Sequence, residues 1–260
     1  MKGKKLPIIK VLTEKFYEYT EKEFYAMIMC GEVSVDGETI RSSQQKVDPE
    51  KEIVFRRRRF VSRGGDKLDF ALAKWDIQAE GRVVLDAGAS TGGFTDCLLR
   101  RGALRVHSVD VGFNQLDYNL RTDPRVNVLE KTNIMSISVL EPPPHFAVAD
   151  LSFRSITGAA SLILKLTTQN LLIALVKPQF ELVQDDDFDG IIRDKAVLES
   201  VVRDTARRLG DDGIKVEAVL ESPIKGQKGN TEYLFRLSQG ESGSNTDNIL
   251  FLDTFFNNQF

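Results

Sequence analysis

Four ionisable residues of this 260-residue chain stand where chemistry could be done: Lys67, Asp150, Lys177 and Glu232. Asp150 closes the apolar run Phe146-Ala147-Val148-Ala149, Lys177 closes Leu172-Ile173-Ala174-Leu175-Val176, and Glu232 opens the run that starts at Tyr233. Singly, a charge at the end of a buried strand is often only its exposed boundary. Two of opposite sign on two strands, with a third at the start of a neighbouring strand, form a set suited to holding and moving a proton. The chain has only two histidines, His107 and His145, too few for a multi-histidine metal site and poor material for a Ser-His-Asp triad. Acid-base chemistry would then fall to Lys, Asp or Glu. Lys67 follows Gly64-Gly65 in the first turn of a helix expected over 66–75. A cation there faces the positive end of the macrodipole, unfavourable by roughly 0.3–1 kcal/mol, so Lys67 is either a tolerated surface lysine or aimed at something anionic, and the adjoining arginines favour the second.

A second group of residues could hold a nucleoside. Asp86-Ala87-Gly88-Ala89-Ser90-Thr91-Gly92-Gly93-Phe94 is a glycine-rich turn between an expected strand and an expected helix. Gly88 and Gly92 can take positive φ and let a ligand approach the backbone. Asp110, 22 residues beyond Gly88, ends the next strand, about where a carboxylate accepts both hydroxyls of an adenosine ribose. A P-loop would need Gly-Lys-Ser/Thr where this chain has Gly93-Phe94-Thr95, and a dinucleotide fingerprint would need glycine at Ser90. S-adenosylmethionine suits the loop better, since it has no pyrophosphate to cradle; the alternative is a structural turn with a satisfied aspartate. The cofactor set is Asp86, Gly88, Ser90, Gly92, Phe94 and Asp110, with Asn133 further along.

Elements that would position these residues follow from the hydrophobic pattern. Strands are expected at 82–86, 105–110, 126–130, 146–150, 171–176, 215–220 and 233–237, and helices at 66–75, 95–101, 155–164 and 195–209. Alternation of this kind predicts a mostly parallel sheet covered on both faces. The last two strands have no helix between them and should pair antiparallel. The fold class is thus α/β, a Rossmann-like seven-stranded sheet with its last strand antiparallel, and ligands should bind beyond the carboxyl ends of the strands. The first sixty residues differ: helical spacing between residues 6 and 29, then short strands around the turn signals Asp36-Gly37 and Asp48-Pro49 predict a small α+β module. The expected boundaries are 1–58 for the module, 59–62 for a basic linker, 63–238 for the catalytic domain and 239–260 for a tail of unknown structure.

Net charge is −3, from 35 basic and 38 acidic residues. It is unevenly spread. Residues 56–67 hold six basic side chains against Asp66 alone, +5, which leaves −8 for the rest. Arg56, Arg57, Arg58, Arg59 and Arg63 are therefore candidate phosphate contacts, since Arg pairs with phosphate bidentately. Cys30 and Cys97 form no paired motif, so neither a zinc site nor a disulfide framework is expected, and no metal is called for. The Asp185-Asp186-Asp187 run reads as a solvated loop. The longest apolar run, 171–176, is far too short to span a bilayer, and Lys10 and Glu14-Lys15 interrupt the N-terminal apolar stretch. A cytoplasmic protein with no membrane partner is expected.

Ordered motifs then make a resemblance specific. Arg63-Gly64-Gly65-Asp66-Lys67-Leu68, the stretch from Leu85 to Thr95, Val109-Asp110-Val111-Gly112, Asp123-Pro124-Arg125-Val126, Ala149-Asp150-Leu151-Ser152-Phe153 and Leu175-Val176-Lys177-Pro178-Gln179-Phe180-Glu181 closely resemble the TlyA, or hemolysin-A-like, family of ribosomal RNA 2′-O-methyltransferases related to the FtsJ group. The resemblance implies a Lys-Asp-Lys-Glu tetrad on Lys67, Asp150, Lys177 and Glu232, with S-adenosylmethionine as cofactor and ribosomal RNA or assembled subunits as partner. It implies an in-line attack of a ribose 2′-hydroxyl on the sulfonium methyl, with Lys177 as base, Asp150 orienting its amine, and Glu232 holding Lys67 or the ribose. The first module resembles the RNA-binding type named after ribosomal protein S-four, with Gly31 to Gly37 as its strand-turn. It departs from that pattern where Thr20-Glu21-Lys22-Glu23 replaces a Ser-Arg pair, and residues 1–50 sum to −1. Two other readings are a noncatalytic RNA-binding protein of the same fold, disfavoured by the filled tetrad, and a membrane-active hemolysin, for which the sequence offers no physical route into a bilayer.

Overall fold

The computed structural model describes residues 5–29, 31–55, 59–151, 155–182, 188–240 and 245–257. Cys30, Arg56, Arg57, Arg58, Asp185, Asp186 and Asp187 lie outside the described residues. The chain divides into two compact units, residues 1–59 and 60–260.

The first unit runs β1 (Leu6–Pro7), α1 (Ile8–Lys15), α2 (Glu21–Met29), β2 (Val33–Val35), β3 (Glu38–Thr39), β4 (Lys46–Val47) and β5 (Ile53–Phe55). Strands pair antiparallel in the order β3-β2-β5, with β1 against β4. Asp36 and Gly37 both take positive φ, 55° and 83°, as a two-residue hairpin between β2 and β3 requires. Ile8, Leu12, Phe24, Ile28 and Val33 make its core. Thr20 and Glu23 form a capping box on α2: Glu23 N donates to Thr20 Oγ1 at 3.3 Å and Thr20 N donates to Glu23 Oε2 at 2.6 Å. The four residues that depart from the S-four pattern thus start the helix.

The second unit runs α3 (Arg63–Lys74), β6 (Val83–Ala87), α4 (Gly93–Arg100), β7 (Arg105–Val109), α5 (Tyr118–Arg121), β8 (Val126–Leu129), β9 (Phe146–Ala149), α6 (Thr157–Lys165), β10 (Leu172–Val176), α7 (Pro178–Glu181), α8 (Lys195–Asp211), β11 (Ile214–Glu221), β12 (Tyr233–Gln239) and α9 (Asn245–Asn257). Its seven strands lie in the order β11-β12-β10-β9-β6-β7-β8, with β12 antiparallel to both neighbours and the other pairs parallel. This is the expected α/β sheet. Side chains alternate by the period of two. Leu85, Ala87, Ala147, Ala174 and Phe235 face one core with residues of α6, α8 and α9, while Val84, Val148, Ile173 and Leu234 face the other with residues of α3 and α4.

Three details differ from the sequence reading. Helices α3 and α4 begin at Arg63 and Gly93, earlier than expected, because glycine pairs read as loop on propensity. Packing overrides propensity there: a Cβ on Gly93 would lie 2.1 Å from Ser62 Oγ and 3.0 Å from Gly65 N, so the two helix starts meet only through glycine. Lys67 is then the fifth residue of α3 rather than part of its first turn, and the macrodipole argument for it lapses. Residues 59–62 are not a free linker throughout, since Phe60 is buried in the α3/α4 core and Val61 N donates to Asp96 Oδ2 at 2.9 Å. The tail expected from residue 239 is largely the helix α9, whose Leu252 and Phe256 are buried.

Candidate active site

Strand ends bring Asp150, Lys177 and Glu232 to one rim, and α3 brings Lys67 to Glu232. The β6–β9 ladder pairs Ala87 with Ala149, so Gly88 and Asp150 are level just beyond it. The β10–β12 ladder ends on Val176 and Tyr233, so the next positions are Lys177 and Glu232. Because β12 runs antiparallel, its start lies at the carboxyl ends of the parallel strands. Lys177 Nζ lies 2.5 Å from Asp150 Oδ1, and Lys67 Nζ donates to Glu232 Oε2. Lys67 and Glu232 are 7% and 3% exposed, so each ion has lost most of its water and depends on the other. The loop before β12 is shaped to this carboxylate: a Cβ on Gly226 would lie 2.1 Å from Glu232 Oε1. Lys177 also sits 5.8 Å from the Phe180 ring centroid.

Beside this rim is a cavity of about 560 Å³, lined among others by Gly88, Ser90, Asp110, Asn133 and Asp150. Gly88 has φ +84°, and a Cβ there would lie 2.5 Å from the carbonyl oxygen of Asp150. The Asp110 carboxylate is fixed by two N–H donors, Ser90 N to Oδ2 at 2.8 Å and Gly112 N to Oδ1 at 2.6 Å. Each oxygen keeps a lone pair for a further donor. Asn133 accepts from Met135 N at 3.0 Å, which fixes its side chain at the start of a short 3₁₀ turn.

Of the seven residues expected to meet the cofactor, Gly88, Ser90, Asp110 and Asn133 line the cavity; Asp86, Gly92 and Phe94 are not among its lining residues. Asp86 is fully buried, on the side of the strand that faces α4. Its Oδ2 accepts from Thr95 Oγ1 at 2.6 Å, and its Oδ1 has no hydrogen-bond partner among the described residues. Burial pushes its carboxyl up to about 7 against the lowering effect of Thr95. Gly92 is the N-cap of α4 and Phe94 is packed in the core. Val111, Gln115, Thr132 and Leu151 line the cavity and were not expected from sequence. Val111 follows the ribose-binding candidate directly and could have been found from that adjacency, whereas Gln115 carries no local signal. Arg59 and Arg63 are exposed. Glu181, the last residue of the Lys177 motif, is a structural ion: it accepts from Ile156 N at 2.9 Å ahead of α6 and pairs with Arg208 at 3.4 Å.

Comparison with known proteins gives the family. The model of the FtsJ-like methyltransferase family matches residues 60–239. Hemolysin A of Brachyspira hyodysenteriae is 42% identical over 224 residues, covering 83% of this chain and 93% of that protein. The 16S/23S rRNA (cytidine-2′-O)-methyltransferase TlyA of Mycobacterium tuberculosis is 41% identical over 184 residues, covering 69% of each chain. A solved structure from Streptococcus thermophilus, designated a hemolysin, superposes with a TM-score of 0.70 at 32% identity and covers 98% of both chains. With a family match over more than half its length and relatives above 40% identity, the chain belongs to the FtsJ-like methyltransferases, in the group that contains TlyA and hemolysin A.

Proposed function

We propose that this methyltransferase acts on ribose 2′-hydroxyls of ribosomal RNA, free or in assembled subunits, in the cytoplasm and with S-adenosylmethionine as methyl donor. The observation that carries the reading is Asp150, which both lines the nucleoside-sized cavity and pairs with Lys177, so that cofactor pocket and proton-handling pair share one residue. The pocket fits the group: its volume is in the range of small-molecule sites, Gly88 lines it without a side chain, and Asp110 offers two oxygens to ribose hydroxyls. Gly88, Ser90, Asp110 and Asn133 would hold the nucleoside.

When bound, S-adenosylmethionine supplies a methyl group already activated by a positive sulfur. The residues must then align the attacking oxygen and take one proton. Lys177, as the neutral amine, accepts the proton of the 2′-hydroxyl, and Asp150 holds its Nζ in place. Glu232 fixes Lys67, leaving the Lys67 ammonium to orient the substrate oxygen. Alignment lowers the barrier by several kcal/mol, on the order of the entropy of bringing reactants together, and a positioned base adds roughly 10²–10⁴-fold.

The test supplies labelled S-adenosylmethionine with intact subunits and with naked RNA, and maps ribose methylation. Lys177→Ala should lose at least about 100-fold in turnover while cofactor affinity by calorimetry stays near that of the wild type. Asp110→Ala should show the reverse, weakened cofactor binding as the first effect. Retained turnover in Lys177→Ala removes Lys177 as the base, and label on a nucleobase rather than a ribose removes the proposed reaction. The hemolysin reading gains nothing here, since among the described residues no helix is long and apolar enough to cross a membrane.

A further inference from the structure

We infer that Glu130 is a positioning residue for the nucleoside pocket: its carboxylate ties down the loop 111–117 and so sets the pocket's outer wall. The inference rests on reading the cavity as the S-adenosylmethionine pocket.

Glu130 follows β8 on the same carboxyl rim as Asp110, one strand further out. Its side chain is 9% exposed. Three successive backbone N–H groups of the loop converge on it: Asn114 N donates to Oε2 at 2.8 Å, and Gln115 N and Leu116 N donate to Oε1 at 3.1 and 3.4 Å. Arg121 of α5 adds a fourth donor at 2.6 Å. Asn114 takes φ +56°, which lets consecutive N–H groups point to one side. Burial would raise this carboxyl, but the four donors outweigh it and hold it down at about 2, so the clamp is charged at any working pH.

Apolar packing alone does not hold this loop. Val111 and Phe113 are 72% and 63% exposed, and Leu116 is the buried anchor at its far end. Besides Val111, the loop presents Gln115 and the Gly112 backbone to the pocket, and both need a fixed backbone. Gln115 lines the cavity, its amide lies so close over Gly112 that a Cβ there would be 2.3 Å from Nε2, and its Oε1 accepts from Ser90 Oγ at 3.4 Å. Gly112 in turn donates to the Asp110 carboxylate. Releasing Glu130 therefore loosens Gln115 and the Gly112 donor together. The loop would then have to be ordered at the moment of binding, which lowers affinity while leaving the Lys177–Asp150 pair untouched.

Glu130→Gln keeps the size but turns one acceptor oxygen into a donor, so at least one of the four donors loses its partner. Expected are a KM for S-adenosylmethionine raised about 10-fold, kcat and the KM for RNA within about twofold, and faster amide hydrogen exchange at Asn114, Gln115 and Leu116 with the sheet unchanged. Glu130→Asp keeps the charge with a shorter reach and should fall between wild type and Glu130→Gln; it carries the comparison if the amide variant folds poorly. Wild-type cofactor KM and wild-type exchange in these variants overturn the inference. So does a joint loss, with kcat and Tm lowered and both KM values raised, which marks a merely structural residue. A wild-type protein that does not bind S-adenosylmethionine overturns the pocket reading itself, while the exchange rates still report whether Glu130 orders the loop.

Discussion

A carboxyl group held near pH 7 inside the sheet gives the catalytic unit an unusual pH response. Asp86 titrates at about 7 when folded, against an ordinary 3.8. The folded state therefore binds the proton more tightly. Its stabilising effect is fully present below the unfolded value, is lost as pH rises through the window from about 4 to 7, and is gone above it. Asp86→Asn should remove that dependence. Thermal unfolding followed from pH 5 to 8 is expected to show the wild type losing stability relative to the variant, by on the order of a few kcal/mol; parallel curves would show that Asp86 is not protonated in the folded protein. The same residue shows what could be read in advance. Strand-end residues such as Asp110 and Asp150 are legible because a buried run stops at them. Asp86 is one position short of its strand's end, and its orientation follows only from alternation: it shares a side with Val84, facing Thr95 of α4. Glu130 ended an expected strand just as Asp150 did, so the rim rule could have flagged it, but its partners are loop N–H groups that no residue type announces.

At the scale of elements, the main departure is α9. A Ser/Gly/Asn-rich start and two adjacent phenylalanines give no clean helical period, and its docking joins one buried amide to the buried Leu252 and Phe256. Asn248 is 1% exposed; it accepts from Val216 N at 2.9 Å and donates to Ala206 O and Ile214 O at 3.1 and 2.9 Å. It thus joins α9 to both α8 and β11 through backbone groups of each. Asn248→Ala removes the partner of Val216 N and of Ile214 O on β11 and should cost about 3 kcal/mol, read as a lower urea midpoint with an unchanged slope. A cost below about 0.5 kcal/mol would mean the helix docks by its apolar side chains alone. Strand order was easier to read than helix starts, since alternation and chain connectivity restrict the sheet, whereas Gly64-Gly65 and Gly92-Gly93 place helix starts by close approach rather than by propensity.

For the molecule as a whole, a net charge of −3 hides a basic segment from Arg56 to Lys67 in a scaffold that sums to −8. If that segment meets RNA phosphates, binding must weaken with salt, by about 0.7–0.9 in the log–log slope for each contact. Replacing Arg56, Arg57, Arg58 and Arg59 together by Ala should flatten the slope by up to about 3 and raise the KM for RNA, with kcat retained. An unchanged slope would move the phosphate contacts elsewhere.

Sheet order also has a bearing on synthesis. Strand β12 is last along the chain yet lies between β10 and β11, and β11 has no other neighbour in the sheet. Until residue 239 has been made, the outer edge of β10 is open and β11 has nothing to pair with. Glu232 arrives on the very strand that fills this gap, so a nascent chain acquires a closed sheet and a complete set of four rim residues in one late event. A chain cut short before Glu232 therefore lacks both the closed sheet and the fourth rim residue.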